Sequence, residues 1–393
     1  MSGGVPRWND DTRAPVVSDP SARGLRRFLR RFFRPPRSRL VALAADCLLR
    51  PAPPTLAARF SWPFLVGAAL WVLAMMLWRS GQVYRTRVFD LYPLYYGAQA
   101  WLHGGNAYAL DAVVPAADHA YGQFQMGNGY PLPAVLLTLP LSLLPPQAAG
   151  ILWVGLLSAG LLLALRLNGW SCWFVLYMPL LDALRLEQYT VLIVILQLVA
   201  LWAYRERRLW ALAWCCTLIA TKPQHGIFFA LALLLLARNW RQQLVAGAVV
   251  WGGSVLLDPH WVGEWLGRLV QYHAAANQPT YWFALFAVPL LLIGDYIGGA
   301  IALQFLIAPV TFPSAYGWGA MPLGVLDDRR SIWLIPASHG WIIAAALAGY
   351  TWATVATLIA PVVLLALLRR WEQGRARREV GRRLAADLRA ASP

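Results

Sequence analysis

Lys222 is the residue whose type and place most clearly suggest chemistry. It is the one lysine among the 34 basic residues of this 393-residue chain, and it precedes Pro223 in a short turn between two apolar segments. A lysine ammonium is a compact charge that suits a phosphate, and a cation at membrane depth is a candidate for function. With His225 it forms a candidate phosphate-binding pair. The alternative to a phosphate-binding role is that Lys222 only lies at a helix end and extends its ammonium group to water.

Asp90 is the second candidate, as a general base. It opens the segment 90–105, whose residues predict a short helix with Pro93 in the first turn and Gly104 as the C-terminal stop. Asp90 could serve only as the N-cap of that helix. A carboxylate shortly beyond an apolar segment of membrane length could equally accept a proton at the membrane surface. Both interpretations stay open on the residues alone.

Glu187 and Gln188 lie just before another apolar segment. An acid and an amide there could cap a helix or could hydrogen-bond the hydroxyl groups of a substrate. The six histidines follow no zinc-binding spacing, and the sequence shows no glycine-rich nucleotide loop and no D-x-D pair. We therefore expect no metal and no other cofactor, and the pattern argues against a nucleotide-sugar donor.

The elements that must position these residues are membrane helices. The chain is 59% hydrophobic and 13% charged, whereas soluble chains are about 45–50% apolar and about 25% charged. Apolar runs, several near the roughly 20 residues that cross a bilayer, recur between 60 and 368. This excludes an ordinary soluble enzyme and predicts an all-α polytopic membrane protein with about twelve transmembrane helices. One of the apolar blocks between 132 and 184 is expected not to span.

The distribution of charge predicts the topology. The net charge is +16, but the arginines concentrate in the segments 1–59 and 369–393 and in short turns between apolar blocks. Such clusters mark the cytoplasmic side of a membrane. The excess of positive charge therefore does not indicate nucleic-acid binding. We predict a cytoplasmic tail at 1–59 that contains an interfacial amphipathic helix. A transmembrane domain at 60–368, with a first outer loop at 79–131, and a cytoplasmic tail at 369–393 complete the predicted organisation.

Several loose motifs also follow one another in a recognisable order. After the first membrane helix come, in turn, Asp90, Tyr95 or Tyr96, Ala98, Ala100, Gly104, Gly105 and Tyr108, then Tyr130-Pro131-Leu132-Pro133, Glu187-Gln188, Lys222-Pro223 and Asn277-Gln278-Pro279. From about residue 60 to 326 this order resembles glycosyltransferase family 87. These DUF2029-type integral-membrane enzymes of the GT-C class include polyprenol-phosphate-mannose-dependent mannosyltransferases.

The resemblance implies a GT-C-like fold and an inverting glycosyltransferase on the extracytoplasmic face of the plasma (inner) membrane. It implies a polyprenyl-phosphate sugar as donor, carrying mannose or another hexose or pentose, and a lipid-linked glycan or glycolipid of the cell envelope as acceptor. It also implies Asp90 as the catalytic base, with Lys222 and His225 at the donor phosphate. The candidate substrate-binding residues are Tyr95, Tyr96, Glu187, Gln188, Asn277 and Gln278.

Two features depart from the family pattern. Glu187 stands where the family commonly has glycine, and the segment 309–318 lacks the acid or histidine of a later family motif. Two other functions stay open: a transporter or flippase of lipid-linked sugars, and a catalytically inactive relative of the family. The sequence predicts no particular oligomeric state.

Overall fold

The computed structural model describes residues 59–81, 90–109, 128–275, 281–307, 320–326, 328–348 and 350–390. Across these ranges the chain is helical and has no strand, which confirms the predicted all-α class there. The tail 1–58, with its predicted interfacial helix, and most of the first outer loop lie outside the described residues. The division into a membrane domain and two cytoplasmic tails therefore stays a prediction.

The helices follow the apolar blocks and end at prolines, glycines and arginine-rich turns. Short 3₁₀ segments connect several of them, and π turns interrupt the sequence at Ala248–Gly252 and Val355–Ile359. In chain order the α-helices are α1 (Trp62–Ser80), α2 (Tyr92–Leu102), α3 (Leu132–Ser142), α4 (Pro146–Leu167), α5 (Met178–Arg185), α6 (Tyr189–Arg205), α7 (Leu209–Ile219), α8 (Pro223–Ala237), α9 (Trp240–Gly247), α10 (Gly253–Leu257), α11 (Trp261–Ala275), α12 (Ala287–Leu292), α13 (Tyr296–Leu303), α14 (Leu334–His339), α15 (Trp341–Ala348), α16 (Tyr350–Thr354) and α17 (Ala360–Ala390).

Three helical stretches within the described ranges are long and apolar enough to cross a membrane: Trp62–Ser80, Pro146–Leu167 and Trp352–Ala376. The prediction of about twelve transmembrane helices is not confirmed. Other apolar helices, such as α3 and α6, have 11 and 17 residues. At 1.5 Å per residue they cover roughly 16–26 Å, short of the roughly 30 Å hydrocarbon core. Proline at a helix start or interior, as in α3, keeps several of them short.

The helices nearest the candidate residues form one packed layer. Helix α1 contacts α4, α4 contacts α6, and α6 contacts α7, while α2 packs on α3. Glycine on α4 permits this close approach, because a Cβ at Gly155 would lie 2.9 Å from Met76 Sδ on α1. On the same helix, a Cβ at Gly160 would lie 3.1 Å from Ile195 Cδ1 on α6. The layer is therefore a rigid frame for the turns at its ends.

The two ends of this layer differ in chemistry. At one end, Arg166 Nε donates to the Arg59 carbonyl oxygen at 2.6 Å, and the Arg205 guanidinium donates to Asn168 Oδ1. These contacts join the start of α1 to the ends of α4 and α6. The opposite end holds the last turn of α1, the first turns of α4 and α6 and the α7–α8 turn. That second end contains the candidate site.

Candidate active site

Asp90 lies half-buried before α2 and is held by the turn between α5 and α6. Its backbone N–H donates to the Leu186 carbonyl oxygen at 3.0 Å, and its Oδ2 accepts a hydrogen bond from Gln188 Nε2. The predicted N-cap role of Asp90 is wrong, because Leu91 is the N-cap of α2 and no side chain caps this helix. Pro93 occupies the first turn as predicted and offers no N–H to a capping side chain. The carboxylate is instead bonded to Gln188.

A chain of hydrogen bonds joins Asp90 to Lys222. Thr190 Oγ1, in the first turn of α6, donates to Gln188 Oε1 at 3.3 Å. Lys222 Nζ, from the turn between α7 and α8, donates to Thr190 Oγ1 at 2.7 Å. The ammonium also lies 3.4 Å from the Tyr130 hydroxyl oxygen and 5.4 Å from the centre of that ring, in a cation–π contact. The fold thus brings the candidate base and the candidate phosphate ligand into one network.

Aromatic residues fix the turns that carry this network. The Tyr189 and Thr221 hydroxyl groups share a hydrogen bond of 2.8 Å, which ties the start of α6 to the α7–α8 turn. The Tyr130 ring packs edge-on against Tyr189 at 5.5 Å. Trp265 on α11 donates its indole N–H to the Gly129 carbonyl oxygen at 3.0 Å. Four separate segments therefore position the ammonium and its partners.

Burial moves the pKa values of both charged groups toward neutrality. Desolvation raises the pKa of Asp90 from 3.8 to about 6; the Gln188 hydrogen bond and the Lys222 charge oppose this shift, and Asp182 adds to it. Desolvation lowers the pKa of Lys222 from 10.5 to about 7, against the opposing effect of the Asp90 charge. A carboxylate whose pKa lies near the working pH is suited to accept a proton during a reaction.

Glu187, a candidate substrate contact, has a protein partner in the structure. Its carboxylate pairs with Arg79 Nε near the end of α1, and both side chains are fully buried. Its backbone carbonyl accepts a hydrogen bond of 2.9 Å from Trp153 Nε1 on α4. The neighbouring Gln188 is the residue of this pair whose side chain contacts Asp90.

Other candidates lie near the site without contacting Asp90 through a described bond. The Tyr95 hydroxyl donates to the Leu144 carbonyl oxygen at 2.6 Å, and the Tyr96 ring packs edge-on against Tyr95 at 4.9 Å, so both tyrosines form part of the α2 core. His225 is buried in the first turn of α8, where its carbonyl oxygen accepts a bond from Gln197 Nε2 at 3.1 Å. Their substrate roles stay predictions.

Two predictions concern groups that the structure leaves untested. Asn277 and Gln278 fall outside the described residues, so their roles as substrate contacts stay predictions. Among the residues that are described, no three histidine, cysteine, aspartate or glutamate side chains are grouped so that they could hold a metal ion.

Sequence reasoning missed Arg79 and Thr190. Arg79 ends the first apolar segment on the side predicted to be extracytoplasmic, where arginine is uncommon, and that mismatch could have indicated a paired arginine. A fully buried arginine there requires an acidic partner. Thr190 follows Gln188 by two residues, but a threonine in an apolar helix carries no distinguishing pattern. Its role becomes visible only once Lys222 is placed beside it.

Comparison with known proteins gives one match. A family model described as glycosyltransferase family 87 matches residues 129–393, which is 265 of the 393 residues. The matched region includes Tyr130, Gln188 and Lys222 and begins after Asp90. No curated protein matches the chain, and no solved structure matches it.

Proposed function

The chain belongs to glycosyltransferase family 87, and on that basis we propose that it transfers a sugar from a polyprenyl phosphate to a lipid-linked or glycolipid acceptor. The family makes it a glycosyltransferase, and its apolar helices are those of a membrane-associated protein. The donor, the acceptor and the side of the membrane are our proposal. The main structural support for this proposal is the hydrogen-bond chain from Asp90 through Gln188 and Thr190 to Lys222.

In the proposed reaction Asp90 acts as the base. Its carboxylate removes the proton from an acceptor hydroxyl while that oxygen forms a bond to the anomeric carbon of the sugar. The bond between the anomeric carbon and the phosphate oxygen breaks, and the electron pair leaves with the polyprenyl phosphate. Attack from the face opposite the phosphate inverts the anomeric centre. The Gln188 hydrogen bond supports the ionised form of Asp90 and fixes its direction.

Lys222 is placed to stabilise the charge on the departing phosphate. Its ammonium donates to neutral hydroxyl oxygens of Thr190 and Tyr130, and a phosphate oxygen is a stronger acceptor than either. Arrival of the anion would raise the pKa of Lys222 from about 7 and so secure the proton. A fixed cation at a developing negative charge lowers the barrier because it needs no reorganisation.

The arrangement of arginines supports a site on the extracytoplasmic face. Arg59, Arg166 and Arg205 lie at the end of the α1–α4–α6 layer that is opposite to Lys222. Arginine-rich ends face the cytoplasm in the plasma membrane of bacteria and in other membranes. Under this assignment both termini are cytoplasmic in the plasma (inner) membrane, and the acceptor is a component of the cell envelope.

An apolar groove beside the site supports a donor with a long hydrocarbon chain. Its volume is about 570 Å³, and residues of α3, of α7, of the π turn at Ala248–Gly252 and of α10 line it; all are apolar except Ser254. Leu218 lines the groove four residues before Lys222, and Pro133 lines it three residues after Tyr130. A polyprenyl chain in this groove would have its phosphate end near the Lys222 ammonium.

Donor use is the direct test. Purified protein in lipid nanodiscs is incubated with radiolabelled polyprenyl-phosphate mannose and a membrane lipid extract as acceptor, and the labelled lipid products are separated. We expect transfer of label from the polyprenyl phosphate and none from the matching nucleotide sugar. Parallel reactions with polyprenyl-phosphate glucose and arabinose identify the sugar. Transfer from the nucleotide sugar alone would contradict the proposed donor.

A further inference from the structure

The turn that follows α5 has an unusual residue at its left-handed position. The N–H of Gln188 donates to the Ala183 carbonyl oxygen at 2.8 Å, and the N–H of Glu187 donates to that of Leu184 at 3.1 Å. This pair of bonds defines a Schellman motif, in which the residue after the C-cap usually is glycine. Helix α2 ends in the same way, with Gly104 at φ 74°, whereas Glu187 adopts φ 59°. A residue with a Cβ is strained in that region.

Three neighbours hold Glu187 in this conformation. The Arg79 guanidinium, from the last turn of α1, pairs with the carboxylate in a fully buried ion pair. Gly150 on α4 leaves the space that the pair occupies, because a Cβ there would lie 2.8 Å from Arg79 Nη2 and 2.9 Å from Glu187 Oε1. Trp153, one turn later on α4, binds the Glu187 carbonyl oxygen. Two long helices thus fix one residue of the turn.

The residues on either side of Glu187 are the ones that hold Asp90. Leu186 accepts the Asp90 backbone N–H, and Gln188 donates to the Asp90 carboxylate. A change in the backbone at Glu187 would therefore move both contacts of Asp90 together. Asp90 does not cap α2, whose N-cap is Leu91, so its carboxylate is free to bond to this turn.

We propose that Arg79 and Glu187 are positioning residues that fix the α5–α6 turn and, through Leu186 and Gln188, aim the Asp90 carboxylate for proton removal. The inference rests on the proposed function for its kinetic consequences. A buried ion pair is a poor source of stability, because desolvation of both charges offsets their attraction. The ion pair is better explained by the strained turn that it holds in place next to Asp90, the proposed catalytic base.

Arg79→Lys tests the proposal, with Arg166→Lys as its matched control. Both arginines are buried and both substitutions keep the positive charge, but Arg166 lies at the opposite end of α4 from the site. Lysine lacks the Nε–H that pairs with Glu187 and the planar guanidinium that fixes the geometry. Glu187→Gln is less suitable, since it would leave the Arg79 charge buried without its acidic partner and could prevent folding.

For Arg79→Lys we expect kcat to fall between about tenfold and about a hundredfold, with the donor KM within about threefold of wild type. The acid limb of the kcat/KM profile moves to higher pH. Loss of the Gln188 hydrogen bond raises the pKa of Asp90, while Asp182 and Lys222, the other charged groups that act on it, are unchanged. Arg166→Lys leaves kcat and the acid limb as in wild type. An Arg79→Lys protein with wild-type kcat and wild-type acid limb would overturn the proposal.

A double variant separates positioning from direct chemistry. Arg79→Met/Glu187→Gly removes both buried charges and supplies the residue that adopts the left-handed conformation freely. If the pair acts through the turn, this variant recovers kcat to within about threefold of wild type and restores the acid limb. A folded double variant that is as slow as Arg79→Lys would show that one of the two side chains acts on the substrate directly, and the positioning role would be wrong.

Amide hydrogen exchange tests the same inference without an activity assay. The Asp90 N–H is bonded to the Leu186 carbonyl oxygen, so loosening of the turn increases exchange in the peptide that contains Asp90. We expect faster exchange there in Arg79→Lys and not in Arg166→Lys. If wild-type protein transfers no sugar, the proposed function fails, and exchange still decides the positioning role. Equal exchange in wild type and Arg79→Lys would contradict that role.

Discussion

The two charged residues of the site acquire their properties from burial and from each other. Asp90 is half-buried and Lys222 is buried, and the partial loss of water moves the pKa of the acid up to about 6 and that of the amine down to about 7. Their mutual attraction limits both shifts. An acid and an amine whose pKa values are both shifted toward neutrality mark this network as a candidate functional site.

A narrow pH optimum follows from these two values. The kcat/KM of the free enzyme should rise as pH passes about 6, because Asp90 must lose its proton to act as base. It should fall above about 7, as Lys222 loses the proton that binds the phosphate. Because the two groups interact, the fitted values belong to the pair. The measurement is initial-rate kinetics from roughly pH 4 to roughly pH 9, which extends about two units on either side of the pair.

Lys222→Arg is the control for the basic limb. A guanidinium keeps its proton throughout this range, so the decline above about pH 7 should disappear even if the maximal rate is lower. The acid limb should remain, since Asp90 is unchanged. Persistence of the basic limb in Lys222→Arg would assign that limb to another group.

The sequence alone singled out Asp90 and Lys222 as candidates, whose roles stay predictions, and it did not reveal the residues that hold them. Lys222 was distinctive as the one lysine, and Asp90 and Gln188 were placed by motif order. The partner of Asp90 could not be predicted, because the same aspartate at a helix start is as suitable for capping as for catalysis. The pairing of Glu187 with Arg79 could not be predicted, because an acid beside a glutamine gives no sign of a partner far away in the chain.

Among the elements, the helix ends carry the site. The turn after α5, the first turn of α6 and the α7–α8 turn supply the groups that meet at Lys222. The helix bodies hold these turns in position, because α1 and α4 pack closely where glycine takes the place of a larger side chain. This division explains why the candidates lie immediately before or after apolar segments in the sequence.

The groove next to the site gives a prediction for the junction between the π turn at Ala248–Gly252 and α10. Gly252 and Gly253 are neighbours, and a Cβ at either meets no atom within 4 Å, but of the two only Gly253 lines the groove. Gly253→Leu should raise the KM for the polyprenyl-phosphate donor at least about fivefold, because its side chain fills space meant for the lipid. Gly252→Leu should leave the KM unchanged. Equal effects of the two substitutions would show that the groove does not hold the donor chain.

Helix positions were predictable where an apolar run was long and bounded by strong signals. The ends of α2 illustrate this: Pro93 and Gly104 fall in the predicted positions. The number of transmembrane helices was not predictable in the same way. An apolar run of 11 residues, such as α3, has the same sequence pattern whether it crosses part of a membrane or packs inside the protein. Tertiary contacts determine which of the two structures forms.

The two ends of the α1–α4–α6 layer differ in their basic residues, apart from the ion-paired Arg79 at the site end. The arginines at Arg59, Arg166 and Arg205 occupy one end, and Lys222 occupies the other. The net charge of +16 hides this, because the topological arginines outnumber the one lysine. Positive-inside asymmetry therefore predicts on which side of the membrane the reaction takes place.

Cysteine labelling tests that sidedness. His103 is exposed at the end of α2, in the predicted first outer loop (79–131), and Glu206 is exposed at the end of α6 beside Arg205. A membrane-impermeant maleimide should label His103→Cys in intact cells and Glu206→Cys only after permeabilisation. Of the four native cysteines, Cys172, Cys215 and Cys216 are buried, and Cys47, which lies outside the described residues, is replaced by serine in both variants and in the wild-type background that is measured alongside. The reverse labelling pattern would place the site in the cytoplasm.

The rate of sugar transfer by Asp90→Asn, compared with wild type and with Asp182→Asn, tests the central claim most directly. Asparagine keeps the size of the side chain but cannot accept the hydroxyl proton, so transfer should fall about 100- to 10,000-fold while donor binding and thermal stability remain. Asp182, a half-buried carboxylate that pairs with Arg185 at 3.2 Å, provides the matched control, and its variant should stay active. Wild-type transfer by Asp90→Asn would contradict the assignment of Asp90 as the base.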